Sequence, residues 1–150
     1  MKTDTKYFGE IEYSEDEIIR FPKGLYGFED EHEFLLLPFS GKNTLYSLQS
    51  LKTPQLAFVM VDPFTLDAGY APVLQKEELQ AMGVEKSEDL YFYTMCVVKD
   101  PVGESTVNLK CPVAIHADEL VAEQFILEGE QYHMRHKLSE FNAQEGEQTC

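Results

Sequence analysis

The residues able to do chemistry in this chain are three cysteines, four histidines and 27 carboxylates, and their spacing decides what they can do. His133-Met134-Arg135-His136 has the density of a metal cluster. On a strand, however, His133 and Arg135 share one face and His136 points to the other, so the imidazoles should not converge. The Arg135 guanidinium would also oppose a cation. Cys96, Cys111 and Cys150 are widely spaced with no C-x-x-C pair, which leaves neither a zinc site nor a disulfide framework. Cys96 lies in an apolar run and reads as a small core residue, whereas Cys150 reads as an exposed terminal thiol. There is no G-x-S-x-G elbow and no Cys-His motif. The Glu15-Asp16-Glu17 and Glu29-Asp30-Glu31 runs lack the spacing of a calcium loop. Gly24 and Gly27 are flanked by aromatics and not followed by Lys-Ser/Thr, so they do not form a phosphate loop. With this many acids, chance carboxylate pairs are inevitable and assign no acid–base roles. The expectation is a protein without enzymatic activity, metal or cofactor.

Charge is the more informative quantity. The 27 Asp and Glu against 12 Lys and Arg leave a formal net charge of −15 over 150 residues. The acids recur from Glu10 to Glu130, among enough apolar residues to fold. Such a surface repels nucleic-acid phosphates and anionic lipid and attracts basic proteins, over a Debye length of roughly 8 Å at physiological salt. Self-repulsion favours a monomer in isolation. No apolar run approaches the ~20 residues of a membrane span. The opening residues lack the apolar stretch of a signal peptide, so the chain is expected to stay in the cytoplasm.

The elements that must position these residues are mostly short strands. Thr5 to Tyr13 alternates apolar and acidic side chains, with Gly9 at a bulge or bend, and predicts a strand with one buried and one carboxylate-bearing face. Ile18 to Phe21 is stopped by Pro22, and Lys23 to Phe28 reads as a tight turn. Strands are expected at Glu33–Phe39, before a Ser40-Gly41-Lys42-Asn43 turn, and at Leu45–Leu51. Gln55–Val61, apolar on both faces, reads as a central strand closed by Asp62-Pro63. One helix is expected from Gln75, capped by Gly83. Leu90–Val98 is the longest strand candidate, and Asp100 to Glu104 is a strong turn signal. Val107–His116 reads as a strand interrupted at Pro112. Phe125–Leu127 and Tyr132–Leu138 complete a single domain over residues 1–138, with 139–150 a frayed polar tail. About ten strands with turn signals every ten residues predict a mainly all-β fold, a small closed or pseudo β-barrel with one short helix inserted.

Phe21-Pro22-Lys23-Gly24-Leu25-Tyr26-Gly27-Phe28-Glu29 resembles the signature segment of the FliW family of flagellar assembly factors. Four further blocks agree in order and spacing: residues 45–64, 70–74, 93–116 and 124–138. The chain departs at Cys111, where family members often have Ala, and at His116, where they often have Asn; no role is carried onto His116. The resemblance implies a β-barrel-like, non-enzymatic regulator. It would bind flagellin in the cytoplasm and, when free, bind CsrA, a small basic RNA-binding repressor of flagellin translation. A narrower implication is a dedicated flagellin chaperone without a CsrA role. Two copies per CsrA dimer are expected, and the resemblance leans towards non-competitive displacement of RNA over coverage of the RNA groove.

Two segments are candidates for the contact. Asp100-Pro101-Val102-Gly103-Glu104-Ser105 presents acids on a geometry set by Pro and Gly, as binding loops on rigid scaffolds do. Leu25, Tyr26 and Phe28 are large apolar groups beside a bend, and serve either as contacts or as a plug for one end of the barrel. Glu10, Glu12 and Glu15 to Glu17 supply general field.

Overall fold

A computed structural model describes residues 1–39 and 45–141. The Ser40 to Asn43 turn and Cys150 lie outside the described residues. The chain opens with an antiparallel hairpin, β1 (Lys2–Thr5) and β2 (Gly9–Glu12). The expected strand from Thr5 to Tyr13 is therefore broken at its start. Thr5 Oγ1 accepts the Phe8 N–H at 2.8 Å and donates to the Gly9 carbonyl at 2.7 Å, and Gly9 takes a left-handed φ of +67°. Both arms stay largely solvated, so the expected buried face is not formed here.

An antiparallel meander follows: β3 (Ile19–Arg20), β4 (Glu33–Pro38), β5 (Leu45–Ser50) and β6 (Ala57–Val61). Asp62-Pro63 does close β6, and it also opens a helix the sequence reading did not include, α1 (Pro63–Leu66). The Asp62 side chain accepts the Phe64 N–H at 2.9 Å, with proline at the first helical position. The expected helix is α2 (Lys76–Ala81), ended by Gly83 at φ +75°. There are thus two short α-helices among the described residues, not one.

β7 (Tyr91–Val97) pairs with three partners: β6, then β8 (Thr106–Val107) and β9 (Val113–His116). The strand expected over Val107–His116, interrupted at Pro112, is two strands, and the break begins already at Asn108. Asn108 Oδ1 accepts the N–H groups of Lys110 and Cys111, at 3.1 and 3.0 Å, and folds the chain into a turn between them. β10 (Val121–Gln124) precedes the expected Phe125–Leu127 piece, and β11 (His136–Lys137) pairs with β8. β10 pairs antiparallel with β9 and parallel with β3. That last pairing closes a seven-stranded barrel, β7-β6-β5-β4-β3-β10-β9, from which β8 and β11 flare as a side ribbon.

Every barrel strand sends apolar side chains inward, around a core of Ile19, Phe21, Phe34, Leu48, Met60 and Val113. A second core covers the outer flank, where Tyr70, Leu74, Phe92, Leu109, Phe125 and Leu127 pack. β7 separates the two cores, with Tyr93 and Met95 towards the interior and Phe92 and Cys96 towards the flank. Burial on both faces explains why Leu90–Val98 lacks polar alternation. Ser139 and Glu140 continue a 3-10 turn from Leu138, and Phe141 packs on the flank core. Residues 142–150 lie outside the described residues.

Candidate protein-binding surface

Strand directions place the two candidate segments together. β3 and β10 are parallel, so the chain beyond Arg20 leaves the barrel where β10 ends at Gln124. Gln124 pairs with Val113 at the start of β9, and Val113 pairs with Tyr93 on the way to the end of β7. The Pro22–Phe28 loop and the Asp100–Ser105 turn therefore emerge at the same end of the barrel.

Within the first segment the residues divide. Leu25 is 1% exposed and joins the interior core, so it plugs the barrel and is not available for contact. Tyr26 and Phe28 are 54% and 40% exposed. The Phe28 ring sits edge-on to Phe58 at 5.1 Å, capping the core while keeping one face in solvent. Gly24 makes the bend possible: its φ is +68°, and a Cβ there would lie 2.6 Å from the Glu29 carbonyl oxygen. The Tyr26 N–H donates to Gln124 Oε1 at 3.1 Å, which ties the loop to β10. Burial raises the Tyr26 phenol above its usual pKa, with smaller contributions from Cys111 and Glu123.

The second segment divides likewise. Asp100, Pro101, Val102 and Glu104 are exposed and Gly103 is half-buried. Ser105 is buried, and its Oγ accepts the Lys99 N–H at 2.8 Å while its carbonyl accepts the Leu138 N–H at 2.9 Å. It fastens the turn from inside. The Asp100–Pro101 peptide is cis. Glu104 pairs with Lys137 at 3.4 Å, and Glu123 with Lys23 at 3.3 Å. Asp100 has no ion-pair partner among the described residues, which leaves its charge free to act outward.

Three exposed apolar residues at this end escaped the sequence reading: Val97, Val98 and Ile126. Val97 and Val98 close the expected Leu90–Val98 strand, and nothing local shows that β6 stops pairing at Cys96. The result is one barrel end bearing Tyr26, Phe28, Val97, Val98 and Val102 with carboxylates around them. Apolar anchors with a polar rim are the anatomy of a protein interface.

The histidines differ from expectation. The His133 and His136 rings do converge, 5.3 Å apart, because only His136–Lys137 is strand and the chain turns before it. His136 Nε2 accepts the His133 N–H at 2.8 Å, and Nδ1 lies 3.0 Å from Glu140 Oε2. Both ring nitrogens are engaged, and no group of three or more His, Cys, Asp or Glu among the described residues could hold a metal. His116 Nδ1 accepts the Glu119 N–H at 3.3 Å in the turn after β9, at the opposite end of the barrel. Among the described residues no helix is long and apolar enough to cross a membrane.

Comparison with known proteins agrees with this architecture. A family model described as FliW protein matches residues 2–138. The flagellar assembly factor FliW of Shouchella clausii is 35% identical over 135 residues, 90% of this chain and 92% of that protein. Its counterpart in Geobacillus kaustophilus is 36% identical over 138 residues, 92% of this chain and 95% of that protein. A crystal structure of the flagellar assembly factor FliW superposes with a TM-score of 0.86 at 34% identity, covering 92% of this chain and 96% of the other. The chain belongs to the FliW family of flagellar assembly factors.

Proposed function

We propose that this protein is a cytoplasmic flagellar assembly factor that binds flagellin and, when free of it, binds and antagonises the translational repressor CsrA. It acts by docking and transforms no substrate. The observation that carries the reading is the union, at one barrel end, of exposed Tyr26, Phe28 and Val102 with the carboxylate of Asp100, which has no ion-pair partner among the described residues. CsrA must be cationic to hold RNA. A surface on a chain of net charge −15 meets it quickly, while the apolar side chains set how long the complex lasts. The same field repels RNA, which fits displacement of the message without entry into its groove. The protein is a monomer in isolation, and two copies engage one CsrA dimer.

Calorimetry at low salt tests the proposal: no complex with either CsrA or flagellin would remove it. A gel-shift titration separates the narrower chaperone role. Loss of CsrA–RNA complex as this protein is added is the expected result, and unchanged RNA binding would leave a flagellin chaperone alone.

A further inference from the structure

The outer flank carries a groove of about 520 Å³, lined by Phe64, Tyr70, Val73, Leu90 and Phe92 with Glu88 at its lip. Its walls are held from behind. The Tyr70 hydroxyl donates to the Leu109 carbonyl at 2.7 Å, and the Ala71 N–H donates to the Tyr132 hydroxyl at 2.8 Å. Tyr70 stacks edge-on between Phe64 and Tyr132, at 5.7 and 4.7 Å. A pocket of this size with braced walls is formed before anything enters it.

Two further observations say what enters. Residues 71–75 alternate exposed and buried, the pattern of an extended chain. At its centre Val73 is 74% exposed, the most exposed large apolar side chain among the described residues. The Val73 N–H and carbonyl have no partner among the described residues, while the Ala71 and Gln75 N–H groups are taken by Tyr132 and Glu78, so the segment offers one open backbone position, at Val73, to another extended chain. The second observation is charge. Other concavities are lined by Arg20, Asp30, Glu33 and Lys52, or by Lys110 and Glu130. This one has Glu88 alone, on a chain of net charge −15. It suits a neutral apolar segment better than a cationic surface.

We propose that this groove docks an extended apolar segment of the flagellin monomer, paired along Val73 with one large side chain in the groove. The proposal rests on the reading of flagellin and CsrA as the two partners. A polymer-forming subunit carries, before assembly, apolar surface that its polymer later buries. β7 begins at Tyr91 beside the groove and ends at Val97 beside the other surface, so the two lie roughly 20 Å apart at about 3.3 Å per residue. A bound partner domain is wider than that, and excludes the other partner by bulk without sharing contacts.

The test is calorimetry of wild type, Val73→Asp and Val73→Leu against purified flagellin and, separately, CsrA. Val73→Asp is expected to weaken flagellin at least tenfold and leave CsrA unchanged, while Val73→Leu binds both as wild type does. Unchanged flagellin affinity in Val73→Asp, or equal loss of both partners, overturns the groove assignment. Failure of the wild type to bind flagellin at all overturns the functional reading on which the groove depends.

Discussion

Gln124 on β10 accepts the backbone N–H of Tyr26 at 3.1 Å, and its own amide donates to the Cys111 carbonyl at 3.2 Å. One side chain thereby fixes the loop that closes the barrel to two distant parts of the chain.

Replacing Gln124 with Ala should leave that N–H and that carbonyl without partners in a site only 7% exposed. A loss of about 1–3 kcal/mol is expected in urea unfolding. Hydrogen exchange at Tyr26 should quicken by more than the global change. Protection equal to wild type would mean that the hydrogen bond does not hold the loop.

Leu25 and Tyr26 are neighbours with opposite duties. Leu25→Ala should destabilise by about 2–5 kcal/mol through cavity formation. Tyr26→Ala should change stability by less than about 1 kcal/mol, as exposed positions do, while weakening CsrA. Thermal melts beside binding titrations check both, and a Tyr26→Ala protein that binds CsrA normally would place the interface elsewhere.

Asp100→Lys is the cleanest charge test, because Asp100 has no ion-pair partner to disturb among the described residues, whereas Glu104 is paired with Lys137. CsrA binding should weaken with the melting temperature unchanged. The wild-type complex should itself weaken between about 50 and 500 mM salt, where the screening length falls to a few Å. Flagellin, held in the less charged groove, should respond less to salt.

Tyr93 has its phenol pushed up to about 12, first by burial and then by Tyr46 and Asp62. Tyr70 is shifted further in the same direction, again by burial. A raised folded pKa contributes stability that is complete below the unfolded value of about 10 and is lost as pH rises through the folded one. Melting temperature should therefore fall from about pH 10 to 12, with phenolate absorbance from these two tyrosines arriving with unfolding. Simple titration of all tyrosines near pH 10 in a folded protein would contradict their burial.

Where local chemistry decides the outcome, the sequence was legible. Leu90–Val98, Gln55–Val61 and Leu45–Leu51 announce strands through apolar and β-branched residues, and Gly83 announces the end of α2. β10 was missed because Glu123 and Gln124 make Val121–Gln124 look like a polar connection. Gln124 turns inward to hydrogen-bond, a duty set by Tyr26 and Cys111 and not by its neighbours in sequence. Leu25 and Tyr26 look alike as neighbours, and only the closed barrel buries one and leaves the other exposed.

The amino-acid sequence by itself determined the strand-rich character, the strong negative field and the ordered blocks of the FliW family, because composition and short-range pattern carry them. Tertiary structure alone decided that the Pro22–Phe28 loop and the Asp100 turn share one end of the barrel, and that Val73 edges a groove on its outer flank. Those outcomes follow from the parallel β3–β10 pairing, a contact about a hundred residues long in sequence that closes the barrel. No local pattern encodes such a closure, since it is set by which edges remain unpaired after every other strand has found its neighbour.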